Sequence, residues 1–279
     1  MAATQALLAA ASERLAAVSD SPRAEAERLL ALALGVPRTH IVAGLAPAPE
    51  PGQAAVFERT LARRAAGEPY AYIVGEQPFH GIELRVTPEV LIPRPDTEHL
   101  VDWALELLRA RAEGATVWDV ATGSGCVALA IASAAPAAAM LASDISATAL
   151  AVARDNAARL GCRAVEFAHC DALQLPDPRR RFDLIVSNPP YIAADDPHLP
   201  ALAHEPRLAL VSGVDGLDCL RRLIVQAPAR LESGGWLLLE HGYDQGAAVR
   251  ALLAQAGFAE VGTRRDYGGN ERVSGGRRP

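Results

Sequence analysis

The sequence predicts an α/β protein: a mostly parallel sheet finished by an antiparallel carboxyl-terminal strand pair, preceded by a small helical bundle. Three observations predict it. From Thr116 onward, short apolar runs alternate with segments of helical period, the pattern of a parallel sheet covered by helices. Several of these runs end in loops bearing Gly, Asp or Pro, at the edge where open α/β sheets place their ligands. Residues 4 to about 66, by contrast, read as helices. A length of 279 residues is long for one domain and comfortable for two. The pattern divides the chain into a helical bundle over 1–68, a β-hairpin and proline-rich linker over 69–98, and an α/β domain over 99–279.

In the bundle, Ser21 is placed to cap a helix, Pro22 suits the first helical position, and Gly35 suits the end. Between them Ala26, Leu29, Leu30, Ala33 and Leu34 recur on one face. Pro47, Pro49 and Pro51 stand at alternate positions and require a loop. A further helix is expected over 53–66, with Val56, Phe57 and Leu61 inward. The bundle holds no catalytic constellation; it reads either as a packing module or as a platform for a macromolecular substrate. Residues 71–75 and 81–86 read as the strands of a hairpin. They lead into Leu91-Ile92-Pro93-Arg94-Pro95-Asp96-Thr97-Glu98, a loop stiffened by two prolines ahead of a helix. Its Arg94 and Thr97 belong either to a linker or to a ligand-facing wall. Strands are then expected at 116–121, 139–143, 164–170, 182–187 and 235–241, with a last pair near 258–266 and 272–276. The clearest helices lie at 147–160, 217–231 and 245–256.

Composition excludes several classes of function. The formal net charge of -6 argues against a general nucleic-acid binder, which would carry a basic domain. Every basic residue apart from histidine is an arginine; without lysine, a Walker-type phosphate cradle cannot be built. Cys126, Cys162, Cys170 and Cys219 form no Cys-x-x-Cys pair and neighbour no histidine cluster, so they read as small apolar residues of a reducing compartment. No metal site is expected: Asp195-Asp196-Pro197-His198 lacks further ligands. The amino terminus lacks a signal-peptide pattern, and no run approaches the ~18 apolar residues of a membrane span. A cytoplasmic, monomeric protein is expected.

Two stretches carry the chemistry. Asp119-Val120-Ala121-Thr122-Gly123-Ser124-Gly125-Cys126 follows one strand and opens a helix, where small residues and free amide hydrogens let a ligand approach. Asp144 ends the next strand, placed for a pair of ribose hydroxyls. Asp119 disfavours a nearby pyrophosphate and suits a cation, such as the amino group of S-adenosylmethionine. Asp171-Ala172 would then lie by the adenine, with Asp171 accepting its exocyclic amine. The second stretch is Ser187-Asn188-Pro189-Pro190-Tyr191, where an apolar strand stops at a double proline. It offers a side-chain amide, a rigid turn with free carbonyls and an aromatic face, the parts needed to hold a planar NH2 group. An Asn-Pro step also begins ordinary turns, and that plainer reading stays open for Asn188 alone.

Asp119 to Gly125, Asp144, Asp171 and Asn188 to Tyr191 together resemble class I S-adenosylmethionine-dependent methyltransferases of the N-methylating type. With the loop Leu91 to Glu98, Glu240-His241-Gly242 and Arg265-Asp266-Tyr267-Gly268, the chain resembles the HemK/PrmC family, the release factor glutamine methyltransferases. The resemblance runs from about residue 69 to the carboxyl end. It implies a Rossmann-like fold and a cofactor site of Asp119, Ala121, Thr122, Gly123, Ser124, Gly125, Asp144, Asp171, Ala172 and Asn188. It implies as substrate the glutamine amide of the Gly-Gly-Gln motif in peptide chain release factors, with Arg94, Asn188, Pro189, Pro190 and Tyr191 as the substrate site. Asn188 through its side-chain oxygen and Pro189 through its backbone carbonyl would accept the two N–H hydrogens, with Tyr191 over the amide plane. These three are the expected catalytic residues, and alignment in near-attack geometry provides most of the rate. Two residues depart from the family pattern: Ala121 stands where glycine is usual, and His204 where phenylalanine often precedes Glu205-Pro206.

Three other readings remain at this stage: N-methylation of a ribosomal protein glutamine, N-methylation of an adenine, and an inactive binding module of the same fold. A target-recognition domain or basic groove would favour the base, and neither is visible. Glu240 and His241 end a strand and resemble an acid/base pair, although buried structural neighbours are the more ordinary reading. Arg179-Arg180-Arg181 reads as a solvated turn.

Overall fold

The computed structural model describes residues 2–111 and 114–279. Contacts divide the chain into two compact units, with the boundary between Glu76 and Gln77. The first unit contains α1 (Ala2–Leu15), α2 (Pro22–Leu34), α3 (Arg38–Val42), α4 (Pro51–Ala65) and α5 (Tyr70–Val74). Leu8, Leu29, Leu30, Phe57 and Leu61 are all but fully buried in its own core. Gly35 ends α2 in the left-handed region. Ser21 stands at the N-cap as expected, but its side chain makes no capping bond. α4 starts two residues earlier than the periodicity suggests. Pro51 occupies its first turn, and the Gln53 side chain accepts the Glu50 amide at 3.0 Å.

Residues 71–75 correct the sequence reading, being part of a short helix rather than a strand. Pro69 sets the entry to α5, Gly75 closes it at φ 80°, and Ala71, Tyr72 and Ile73 are buried in succession. Consecutive burial is what a helical turn against a core provides and a half-buried strand does not, so packing overrides the β-branched and aromatic composition. The hairpin is formed instead by β1 (Glu76–Phe79) and β2 (Ile82–Arg85). Its two-residue turn, His80-Gly81, has both φ values positive, the geometry that matches strand twist.

α6 (Glu98–Arg109) follows the proline-rich loop. Then β3 (Thr116–Val120), α7 (Cys126–Ala134), β4 (Ala139–Asp144), α8 (Ala147–Leu160), β5 (Glu166–His169) and β6 (Phe182–Ser187) alternate. The chain ends with α9 (Asp218–Gln226), β7 (Leu231–Glu240), α10 (Gly246–Gln255), β8 (Ala259–Arg265) and β9 (Glu271–Arg277). The helix expected over 217–231 is shorter, because Pro228 cannot continue it and Leu231 already belongs to β7.

The seven strands run in the order β5-β4-β3-β6-β7-β9-β8. All neighbouring pairs from β5 to β7 are parallel, whereas β9 pairs antiparallel with both β7 and β8. Side chains alternate between two cores, one on each face. Val117, Leu184 and Leu238 enter one, and Trp118, Ile185 and Leu237 enter the other. Trp118 is fully buried yet satisfied, its indole N–H donating to Ser143 Oγ at 2.8 Å. Strand order reverses between β3 and β6, which opens a crevice at their carboxyl ends.

Asn156 on α8 ties this edge together. Fully buried, it accepts the Arg85 amide at 2.7 Å and donates to the carbonyls of Arg85 and Ser124, both at 2.9 Å. Asn156→Ala strands three backbone groups in the interior. It is expected to cost about 3 kcal/mol in urea unfolding, the scale of an unsatisfied buried polar site.

Candidate active site

The loop after β3 and the end of β4 are joined by one carboxylate. Asp144 accepts the Gly123 amide at 2.9 Å on Oδ2 and the Ser146 amide at 2.8 Å on Oδ1. Burial raises its pKa, and these amides pull it back down. A carboxylate accepts about four hydrogen bonds, so two bonds to the backbone leave capacity for two hydroxyls. Asp119, 1 % exposed, accepts Thr122 Oγ1 at 2.5 Å and the Ala128 amide at 3.1 Å, both on Oδ2. Burial pushes its pKa up to about 7 against the pull of those two bonds, with nearby Asp144 adding to the rise.

These acids line a cavity of about 410 Å³ within the second unit. Of the expected site residues, Asp119, Ala121, Thr122, Gly123, Ser124, Asp144, Asp171, Ala172, Asn188 and Pro190 line it. Gly125, Arg94, Pro189 and Tyr191 are not among the residues that line it. Gly125 starts α7 at φ 84°. Pro189 is buried, and its carbonyl accepts no hydrogen bond from the described residues.

Tyr191 is held from several sides. Its hydroxyl donates to Glu240 Oε1 at 3.2 Å, and its carbonyl accepts from Gln245 Nε2 at 3.0 Å. Burial raises its phenol pKa, so the ring carries a proton. Gly216 packs so closely that a Cβ there would stand 2.2 Å from the Tyr191 carbonyl oxygen. Asn188 donates through Nδ2 to Thr97 Oγ1 at 3.0 Å, and among the described residues its Oδ1 has no partner.

Arg94 is engaged within the protein. Its guanidinium pairs with buried Glu205, whose other oxygen accepts the Ile92 amide at 3.1 Å. This clasp fastens the loop 91–97 to the segment carrying Leu208 and Ala209, which also line the cavity. His204 is exposed and takes no part in the lining. Asp171 is likewise committed, both oxygens receiving Arg222 of α9. Arg222 and Cys219 on α9, Val90 and Leu208 are lining residues that the sequence did not disclose. An amphipathic helix whose Arg222 lies 51 residues beyond Asp171 carries no local mark of facing it. Cys126, Cys170 and Cys219 all line the cavity as neutral thiols, since burial pushes Cys126 up to about 12 and raises the other two.

Backbone strain gathers here as well. Ala121 and Ala172 hold φ values of 58° and 47°, a region glycine enters freely and alanine does not. The donor set suits a ligand with an ammonium, a vicinal diol and an aromatic amine, as S-adenosylmethionine has. Asp119, Asp144 and Asp171 offer one acceptor group for each.

Comparison with known proteins agrees with this geometry. Residues 6–75 match the PrmC N-terminal domain, and residues 117–213 match a methyltransferase domain. The release factor glutamine methyltransferase of Bordetella pertussis is 49% identical over 257 residues, covering 91% of this chain and 94% of that protein. That of Pseudomonas aeruginosa is 49% identical over 262 residues, covering 92% of each. Among solved structures, the 16S rRNA N2 G1207 methyltransferase RsmC of T. thermophilus, in complex with AdoMet and guanosine, aligns with a TM-score of 0.55. Its identity is 20% over 73% of this chain and 50% of that one, a likeness of fold alone. Sheet order, acid-ended strands and matched domain define a methyltransferase of the Rossmann-like class. Within that class, the chain belongs to the release factor glutamine methyltransferase family.

Two outcomes are expected. Only ionised Asp119 attracts an ammonium, and its pKa lies at about 7. S-adenosylmethionine binding by calorimetry should therefore weaken about tenfold between roughly pH 8 and pH 6. Asp119→Asn should bind weakly at both and lose most of that dependence. Ala121→Gly should relieve the left-handed strain and raise unfolding stability by about 1 kcal/mol.

Proposed function

We propose that the protein transfers a methyl group from S-adenosylmethionine to the side-chain amide nitrogen (N5) of the glutamine in the Gly-Gly-Gln motif of peptide chain release factors. The observation that carries this reading is the position of Asn188. It shares a cavity with Asp119 and Asp144, its NH2 is committed to Thr97, and its oxygen is left as an acceptor. Family membership supports the same substrate class.

When bound, S-adenosylmethionine supplies an electrophilic methyl group on a sulfonium. In our reading Asp119 holds its ammonium and Asp144 its ribose hydroxyls. Asp171, with Arg222 at its back, meets the adenine edge, and Ala121 to Ser124 let the ligand approach the backbone. An amide nitrogen is a poor nucleophile because its lone pair is delocalised into the carbonyl. Asn188 Oδ1 and the Pro189 carbonyl accept its two hydrogens, orient the nitrogen, and stabilise positive charge as it grows there. Pro190 and Tyr191 keep that turn rigid, the Tyr191 hydroxyl anchored on Glu240. The N-methylated amide is strongly acidic while still cationic and loses a proton to water, so no strong base is required. We assign Arg94, through its Glu205 clasp, to holding the substrate-side loop in place. The helical unit, which has its own core, is assigned to docking the protein substrate.

The test uses purified protein, labelled S-adenosylmethionine, a release factor, and the same factor with its motif glutamine changed to alanine. Label is expected on the unaltered factor alone. Asn188→Ala should bind the donor with near wild-type affinity and lose roughly a hundredfold or more in kcat, the scale of removing one preorganised hydrogen-bonding group. Transfer at the wild-type rate by Asn188→Ala, or equal labelling of the altered factor, would overturn the assignment.

A further inference from the structure

We propose that Gln245 is a positioning residue for the reaction: it clamps the Tyr191 carbonyl, fixes the far end of the Asn188–Tyr191 turn, and so aims the Pro189 carbonyl. The inference rests on the proposed function, which makes that carbonyl an acceptor for the substrate amide.

The Pro189 carbonyl accepts no hydrogen bond from the described residues, so no local partner holds its direction. Neither Pro189 nor Pro190 has an amide hydrogen to tether the segment, and each ring locks its own φ. A link this stiff takes its orientation from its two ends. The near end is Ser187, paired with Val120 and Leu239 in the sheet, its hydroxyl donating to the Val120 carbonyl at 2.7 Å. The far end is Tyr191.

Tyr191 is engaged twice by residues at and just after the end of β7. Its hydroxyl donates to Glu240, which holds the ring. Its backbone is held by Gln245, whose Nε2 donates to the Tyr191 carbonyl at 3.0 Å. Across the same peptide plane, the Ile192 amide donates to the Leu210 carbonyl at 2.9 Å. The plane is therefore pinned at both edges, and Gln245 supplies one of the two pins.

A side-chain carboxamide has a donor end and an acceptor end of nearly equal shape, and its partners decide which faces where. Here both partners are main-chain groups and leave no choice. The Gly242 amide can only donate, and it reaches Gln245 Oε1 at 2.9 Å; the Tyr191 carbonyl can only accept. A longer contact of 3.4 Å runs from Nε2 to the Asp215 carbonyl. One side chain thus joins the segments after β6 and β7 to the loop before α9. Gly216 makes room for it, since a Cβ there would stand 2.7 Å from Gln245 Nε2.

The seat of the clamp is fixed as well. The Gly242 carbonyl accepts the Gln245 amide at 2.9 Å and lies 2.8 Å from His241 Nδ1, which must carry the ring proton there. His241 is fully buried, with Nε2 2.7 Å from Ser274 Oγ of β9. The run Glu240-His241-Gly242 acquires a role in this way. Glu240 takes the tyrosine hydroxyl, while His241 and Gly242 seat the glutamine that takes its carbonyl.

The experiment compares Gln245→Met and Gln245→Glu with the wild-type enzyme at about pH 8, where an added glutamate is ionised. Methionine keeps the length of glutamine and loses both hydrogen bonds. Glutamate keeps an acceptor for Gly242 and brings a second oxygen, without a hydrogen, to the Tyr191 carbonyl. Gln245 also stands at the N-cap of α10, where a negative charge stabilises the helix. Positioning and mere helix support therefore rank the two variants in opposite order. The measurements are the urea midpoint, donor affinity by calorimetry, and kcat and KM for methyl transfer to a release factor at saturating donor. The Asn188 side-chain amide signals, assigned by their loss in Asn188→Ala, are followed in 1H–15N spectra.

Gln245→Glu is expected to match or exceed Gln245→Met in urea midpoint and yet to be at least as slow. Both should lose about tenfold or more in kcat with donor affinity unchanged, and the Asn188 signals should move in both. A kcat within about twofold of wild type in either variant, or rates that follow stability with Gln245→Glu the faster, would overturn the assignment. So would unmoved Asn188 signals, or a kcat loss matched by an equal loss of donor affinity. Should the wild-type protein leave release factors unlabelled while the Asn188 signals shift in both variants, the substrate reading falls and the clamp stands.

Discussion

Two adjacent residues without amide hydrogens set the terms for the rest of this molecule. Pro189 and Pro190 cannot extend a ladder, so β6 must stop at Ser187, at the sheet position where strand order reverses and the edge is open. The backbone leaves the sheet there with free carbonyls and a fixed path, beside the carboxyl ends of β3 and β4. Asp119 and Asp144 are presented at the same edge because parallel strands all end on one side. The proximity of the Asp119 and Asp144 carboxylates to the Asn188–Tyr191 turn thus follows from strand direction and from proline chemistry together.

Much of this arrangement could be read in the sequence because the relevant signals are local. The alternation of strands and helices, the Gly-bearing turn after Asp119, the acid closing β4 and the double proline each occupy a few consecutive residues. The strand expected over 182–187 is the observed β6. Where local composition was the only guide, it misled: residues 71–75 have the composition of a strand, yet burial on successive positions makes them α5. What stayed hidden was long-range pairing. Arg222 reaching Asp171, Arg94 committed to Glu205, and Asn156 holding Arg85 and Ser124 join residues between about 30 and 110 apart. Nothing near either member of such a pair announces the other.

The departures from the family pattern acquire a physical meaning in the fold. Ala121 occupies the left-handed region, which explains why glycine is usual there and what its replacement costs. The methyl group stays at the cavity wall, so the strain is carried by a loop that lines the cavity. His204 stands exposed outside the lining, whereas its neighbour Glu205 is buried and fastens two segments of the rim. One substitution therefore touches the site directly and the other only its outer surface.

The insertion of β9 between β7 and β8 has a consequence for how the domain is assembled. Chain order and spatial order disagree at this end: the last strand to be made is the one that bonds to strands on both sides. Until residues 271–277 arrive, β8 has no neighbour, and His241 lacks Ser274, its partner at 2.7 Å. A frameshift or early stop before residue 271 that spares every residue of the cavity would still leave β8 unpaired and the edge of β7 open. In this fold residues 271–277 are as structural as the middle of the sheet.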